Sequence, residues 1–292
     1  MPAVPIPAAT TLGAVHLTVT DLDRSIDFYA RRLGLAINAR LERSARLGAG
    51  GEDLVVLTAD PDARRVRGAT GLFHLAILVP SRADLGRVLR HLVALRTPID
   101  GASDHLVSEA LYLTDPDGNG IEIYRDRPRA EWPRDGEGTL RMATDPLDAE
   151  GVLASAGEAA GEWAGMPAGT RIGHVHLKVS QIAAAERFYV GVLGLDLVQR
   201  YGPAASFVSA GGYHHHFGLN TWSGVNAPPP PPGAVGLRHA EVRLPDAESL
   251  EALVARVRGA GHAADTGPAG TMVADPSGNH LLFTLQRPGT WS

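Results

Sequence analysis

The chain has 292 residues, a formal net charge of -5, 44% hydrophobic and 20% charged residues, the composition of a globular protein long enough to bury two cores. No basic block provides the footprint expected for nucleic acid or a membrane surface. The absence of cysteine excludes disulfides, thiolate ligands and a cysteine nucleophile, so any bound metal must be held by nitrogen and oxygen.

In chain order, the N-terminus Met-Pro-Ala-Val-Pro-Ile-Pro has no charged region followed by a long apolar run, and no stretch approaches a spanning helix. A cytoplasmic location is the expectation. A strand over 12–20 precedes a helix over 22–33, in which Ile26, Tyr29 and Leu33 recur at helical spacing. Asp21 or Asp23 suits its cap, and Gly34 suits the left-handed residue after its last turn. The same strand-then-helix pattern returns at 72–79 with 82–96, at 172–179 with 181–193 and at 237–244 with 246–259. Phe28-Tyr29 and Leu33-Gly34-Leu35 reappear as Phe188-Tyr189 and Leu193-Gly194-Leu195, and Asp115-Pro-x-Gly-Asn119 as Asp275-Pro-x-Gly-Asn279, all offset by 160 residues. The chain therefore reads as two duplicate halves, 11–126 and 171–287, each of two modules. Between them, 127–170 is a long connection rich in Gly, Ala, Pro and acidic residues, with Trp132, Met142, Leu147 and Leu153 available to pin it down. Pro228–Pro232 reads as a stiff spacer between the third and fourth modules.

Residues 103–124 carry the strongest local signal. Two apolar runs, Ala110–Leu113 and Ile121–Tyr124, flank the turn formers Asp115-Pro-Asp-Gly-Asn119, the pattern of a β-hairpin. Period-two alternation separates Tyr112 and Glu122 from their aliphatic neighbours, so both can face one cavity. A carboxylate there is costly to bury unless it is paired or bound to a metal; the plain alternative is a Glu on the solvent face of an edge strand.

His105, Leu111-Tyr112, Asp115-Pro116, Gly118 and Glu122, at these spacings, resemble the signature of extradiol ring-cleavage dioxygenases of the catechol 2,3-dioxygenase type, in the vicinal-oxygen-chelate (glyoxalase/bleomycin resistance/dioxygenase) superfamily. Ser103 departs from the usual residue type. The resemblance implies an α+β fold of four βαβββ modules, in which paired modules wrap a concave mixed sheet around a central cavity. It further implies a metal ligand at Glu122, a substrate-directed hydroxyl at Tyr112 and a pocket-shaping imidazole at His105. In that superfamily the first strand of a module can supply a histidine, which gives His74, His174 and His239 in modules two, three and four, but Ala14 in module one. The carboxylate position is Glu122 in module two and Leu282 in module four.

Pairing modules in chain order completes neither site. Crossing them, two with three, gives His74, Glu122 and His174, a two-histidine, one-carboxylate face suited to Fe(II), with Mn(II) accepted by the same donors. His16 ranks second as a substitute ligand for the chain-order site. In Tyr213-His214-His215-His216, read as part of a strand, His215 matches the family's acid–base histidine, with His214 and His216 turned away. His176 shares a face with His174 and is a candidate substrate-binding residue. His239 reads as a packing group, and His91 and His262 as surface residues.

The function implied is an iron-dependent extradiol dioxygenase acting on a small aromatic diol and O2, without nucleic-acid or membrane partners and with its oligomeric state open. The alternatives on the same scaffold are a glyoxalase-like isomerase or hydrolase, and a non-catalytic small-molecule binding protein.

Overall fold

A computed structural model describes residues 4–157 and 163–286. Module one contains β1 (Thr11–Val19), α1 (Leu22–Ile26), β2 (Ala36–Arg40), β3 (Ser44–Ala49) and β4 (Glu52–Ala59). Module two contains β5 (Gly71–Leu78), α2 (Arg82–Ala94), β6 (Gly101–Asp104), β7 (Ser108–Thr114) and β8 (Gly120–Asp126). β9 (Asp145–Pro146) and α3 (Ala149–Ser155) follow in the connection. Module three comprises β10 (Arg171–Lys178), α4 (Ile182–Glu186), β11 (Asp196–Tyr201), β12 (Ala205–Ser209) and β13 (Phe217–Asn220). Module four comprises β14 (Gly236–Leu244), α5 (Ala247–Gly259), β15 (Asp265–Gly267), β16 (Gly270–Ala274) and β17 (His280–Leu285).

The strands form two mixed sheets, and the modules are crossed within one chain. One sheet runs β15-β16-β17-β14-β1-β4-β3-β2, joining module four to module one; the other runs β11-β12-β13-β10-β5-β8-β7-β6-β9, joining module three to module two. The joints are antiparallel, β1 on β14 and β10 on β5. A continuous apolar core includes Leu17 and Val55 from one sheet, Leu75 and Val175 from the other, and Leu85 and Leu89 of α2.

Local sequence explains the repeated parts. The Asp21, Ser81 and Asp246 side chains accept from backbone N–H groups three residues on, capping α1, α2 and α5. The first and third helices differ from the plain α-helices expected: α1 and α4 run into π-helical turns at Asp27–Arg32 and Arg187–Val192. The Leu33 and Leu193 N–H groups reach back five residues to the carbonyls of Phe28 and Phe188. The wider turn coincides with burial of both residues of each Phe-Tyr pair. The Tyr29 and Tyr189 hydroxyls donate to Asp115 and Asp275, at 3.0 and 3.2 Å. Those carboxylates also accept from the backbone of their own turns, at Asp117 and Asn119 and at Ser277 and Asn279. The duplicated motifs are thus two halves of one buried clamp.

The connection packs closely against module two. α3 lies along α2, where Val152 is buried and a Cβ on Gly86 would strike the Val152 carbonyl. Trp132 and Leu140 form a small cluster with Val107 and Tyr213.

Candidate metal centre and substrate cavity

The hairpin and the central strands of the crossed sheet set out two rows of side chains. In the first, Tyr112 on β7 pairs with Glu122 on β8, Glu122 with Ala76 on β5, and Ala76 with His174 on β10. Ala76 is small, so its neighbours meet over it: His174 Nε2 lies 3.0 Å from Glu122 Oε2. Two residues along, Gly120 pairs with His74, His74 with His176 and His176 with Gly218. Both rows project to the same face because side chains two apart on a strand do so. Glycine lets the strands fit at both places: a Cβ on Gly218 would come 2.7 Å from His176 Cδ2, and one on Gly120 2.2 Å from the Phe73 carbonyl oxygen.

His74, Glu122 and His174 are all buried, and a donor atom from each lies within 4.8 Å of the other two. His74 Nε2 is 3.0 Å from the same Glu122 oxygen that His174 approaches, yet it makes no hydrogen bond among the described residues. One buried carboxylate oxygen with two imidazole nitrogens converging on it is poorly satisfied by hydrogen bonding. It is well matched to a cation held by two nitrogens and an oxygen, the donor set suited to Fe(II). Burial raises the Glu122 pKa, but the His174 and His74 interactions outweigh it and hold the carboxyl well below its ordinary value. Burial pushes His174 down to about 4 against the pull of Glu122. His174 therefore stays neutral and the carboxylate ionised near neutrality, the states in which each can bind a metal.

These groups open onto a cavity of about 290 Å³. The Tyr112 hydroxyl is 2.6 Å from His105 Nε2, while His105 Nδ1 is 2.7 Å from the Ala143 carbonyl. The carbonyl can only accept, so His105 carries its proton on Nδ1 and a neutral His105 accepts from Tyr112. Burial and the Glu122 charge raise the Tyr112 pKa well above its ordinary value of 10.0, so the hydroxyl keeps its proton. The His176 ring stands 5.0 Å from that of His74, and its Nε2 has no hydrogen-bond partner among the described residues. Phe73, Phe207 and Trp222 surround it.

Several expectations need correction. Residues 214–216 lie in an irregular segment ahead of β13 and not within a strand, so alternation does not decide where they point. All three are buried: His215 lines the cavity with its ring centroid 4.1 Å from that of His174, and His214 is turned toward Asp126. His16 lies in the other sheet, where it bonds Glu241 at 3.0 Å and stacks on His239 at 3.9 Å. It is thus no neighbour of His74. His91 and His262 are half-buried, packed against Trp163 and Phe188. The cavity also takes Met142, Ala143 and Thr144 from the connection, so Met142 does more than pin that segment down. Tyr124 and Asp126 were overlooked, although period two from Glu122 puts both on its face.

The sequence matches a family model described as Glyoxalase/Bleomycin resistance protein/Dioxygenase superfamily twice, over residues 11–123 and 171–283. A protein of Bacillus subtilis (strain 168) named catechol-2,3-dioxygenase is 46% identical over 281 residues, covering 94% of this chain and 98% of its own. Among solved structures, one from Bacillus subtilis subsp. subtilis str. 168 aligns with a TM-score of 0.63 at 17% identity, over 96% of this chain and 86% of that one. Glyoxalase I from Zea mays aligns with a TM-score of 0.56 at 16% identity, over 95% and 92%. At these identities the two structures speak for the fold alone.

Proposed function

The chain belongs to the glyoxalase/bleomycin resistance protein/dioxygenase superfamily, and from that premise we propose that it is an Fe(II)-dependent extradiol dioxygenase that opens a catechol ring beside its vicinal hydroxyls. The observation that carries the proposal is the buried convergence of His74, Glu122 and His174 at the floor of the cavity. The 46% identical relative bearing a catechol-2,3-dioxygenase name supports it.

In this reading His74, Glu122 and His174 would hold the iron, which would supply a meeting place for the diol and O2 and a route for electrons between them. The protein's own groups do the rest. His215 takes a hydroxyl proton from the diol as it binds and returns it when the ring opens, work suited to an imidazole at the cavity wall. Tyr112, anchored by His105, places a hydroxyl against oxygen-centred charge. His176 contacts the bound diol. Phe73, Phe207 and Trp222 provide an apolar wall that orients the ring and excludes water.

That wall also bears on the substrate. Among the described residues, no lysine or arginine lines the cavity, so a carboxylate on the ring would lose its hydration without gaining a lysine or arginine to pair with. Catechols that are unsubstituted or carry small alkyl groups fit a space of about 290 Å³. The test is anaerobic loading with ferrous iron, then addition of catechol, 4-methylcatechol or 3,4-dihydroxybenzoate with air, following the coloured ring-fission product. The neutral catechols are expected to turn over, with the carboxylated one at least tenfold lower in kcat/KM. No coloured product from any of the three would overturn the proposal.

A further inference from the structure

The segment before β13 holds a chain of polar groups leading away from the cavity. His214 Nε2 lies 2.8 Å from Asp126 Oδ1. A carboxylate only accepts, so the Nε2 of His214 carries a hydrogen. Neutral His214 then has its lone pair on Nδ1, and that atom is 2.8 Å from His215 Nδ1. Of two ring nitrogens facing each other at this distance, one must donate and the other accept. The donor is therefore His215, and its own lone pair is left on Nε2. That nitrogen has no hydrogen-bond partner among the described residues, and the ring it belongs to lines the cavity.

The far end of the chain is held firmly. The Tyr213 hydroxyl donates to Asp126 Oδ2 at 3.0 Å, and the Tyr124 hydroxyl lies 2.7 Å from that of Tyr213. Tyr124 reaches this position because residue 173 is glycine: a Cβ there would fall 1.7 Å from the Tyr124 hydroxyl oxygen. His214 is packed between the rings of Tyr213 and Trp132, at centroid distances of 4.1 and 5.3 Å. The catalytic reading of His215 uses none of these groups, yet Tyr124, Tyr213 and His214 are buried, and both Tyr213 and His214 bond the half-buried Asp126.

We infer that Asp126 and His214 are positioning residues that fix the tautomer of His215, holding its proton on Nδ1 and presenting the Nε2 lone pair to the cavity. The inference rests on the proposed role of His215. When a substrate hydroxyl gives its proton to Nε2, His215 becomes an imidazolium whose Nδ1–H still donates to His214. The Asp126 carboxylate at the end of the chain favours that positive charge. When the ring opens, Nε2 gives the same proton back and the starting tautomer is restored. Fixing an imidazole's tautomer through a carboxylate is a known source of general-base efficiency; here the half-buried Asp126 acts through a second, fully buried imidazole.

The experiment has two arms. In the first, ¹⁵N NMR of histidine-labelled, Zn(II)-loaded protein, with His215 assigned by its loss in His215→Asn, reads which ring nitrogen is protonated. The expected result is hydrogen on Nδ1 and none on Nε2, and the reverse would overturn the inference. In the second, His214→Phe and Asp126→Ala are compared with His214→Asn, whose amide oxygen can accept where Nδ1 does. Phe and Ala should lower kcat by about 10²-fold, in the range of general acid–base catalysis, with KM and bound iron within threefold of wild type. Asn at 214 should restore most of the loss. Phe at 214 with kcat within threefold of wild type would also overturn the inference. If no catechol is turned over by the wild type, the functional reading fails while the NMR arm still decides the tautomer.

Discussion

His216 offers a quantitative test of how the segment bearing His215 is built. Its ring is buried, and its Nδ1 accepts from the Ala210 N–H at 3.1 Å, so the native state requires neutral imidazole with hydrogen on Nε2. Burial, aided by the neighbouring His214 and His174, pushes its pKa down to about 3, against about 6.5 in an unfolded chain. Because the folded value is the lower one, the stability is whole above pH 6.5 and falls as pH drops, since only the unfolded chain takes up the proton. Between pH 6.5 and 5.0 the loss from this group is about 2 kcal/mol. In His216→Asn an oxygen stands near the place of Nδ1, and nothing titrates. The vacated ring volume makes that variant less stable by about 1–3 kcal/mol, but equally at both pH values. Urea unfolding of both proteins at pH 6.5 and 5.0, with chelator present throughout, isolates the difference. The wild-type midpoint should fall by about 1 M more than that of the variant, taking a slope of about 2 kcal/mol/M. Equal falls would show that His216 is not held neutral by its surroundings, and the description of this segment would be wrong.

Two further outcomes bear on the site. Tyr112→Phe keeps the packing against Ala76, Leu78, Ala110 and Tyr124 but leaves His105 Nε2 without its partner. Stability should drop by about 1 kcal/mol and kcat by about 10-fold or more, with iron retained; an unchanged kcat in steady-state assays would remove Tyr112 from the chemistry. His16→Ala removes a ring that bonds Glu241 and stacks on His239 in the other sheet, so iron content and turnover should stay within twofold of wild type. Loss of iron measured by elemental analysis would mean that the site has been placed in the wrong sheet.

Much of the architecture was legible because it rests on short-range rules. The turn residues 115–119 and period-two alternation mark the β7–β8 hairpin and its cross-strand pair, Tyr112 with Glu122. The 160-residue offset marks the duplication, and among the ligand positions that the family resemblance implies only the crossed pairing has a full set. The structure pairs the modules in that way. Other features depend on contacts that no local pattern records. Three consecutive histidines read as alternating because a strand was assumed, whereas the chain there follows the demands of Asp126, Ala210 and the cavity. The connection 127–170 has too weak an apolar pattern to announce that Trp132 packs on Tyr213 or that Met142 reaches the cavity. Phe73 and Trp222 are 149 positions apart in sequence and meet, with ring centroids 4.9 Å apart, only because β5 pairs with β10. The π-helical turns escaped notice because the helical repeat of Ile26, Tyr29 and Leu33 suits an ordinary turn as well.

The account turns on one ion being gripped by three side chains, and ferrous iron content measures that directly. After anaerobic loading and removal of free metal, the wild type should retain one iron per chain and Glu122→Ala, folded by circular dichroism, essentially none. A Glu122→Ala protein that still carries stoichiometric iron would contradict it.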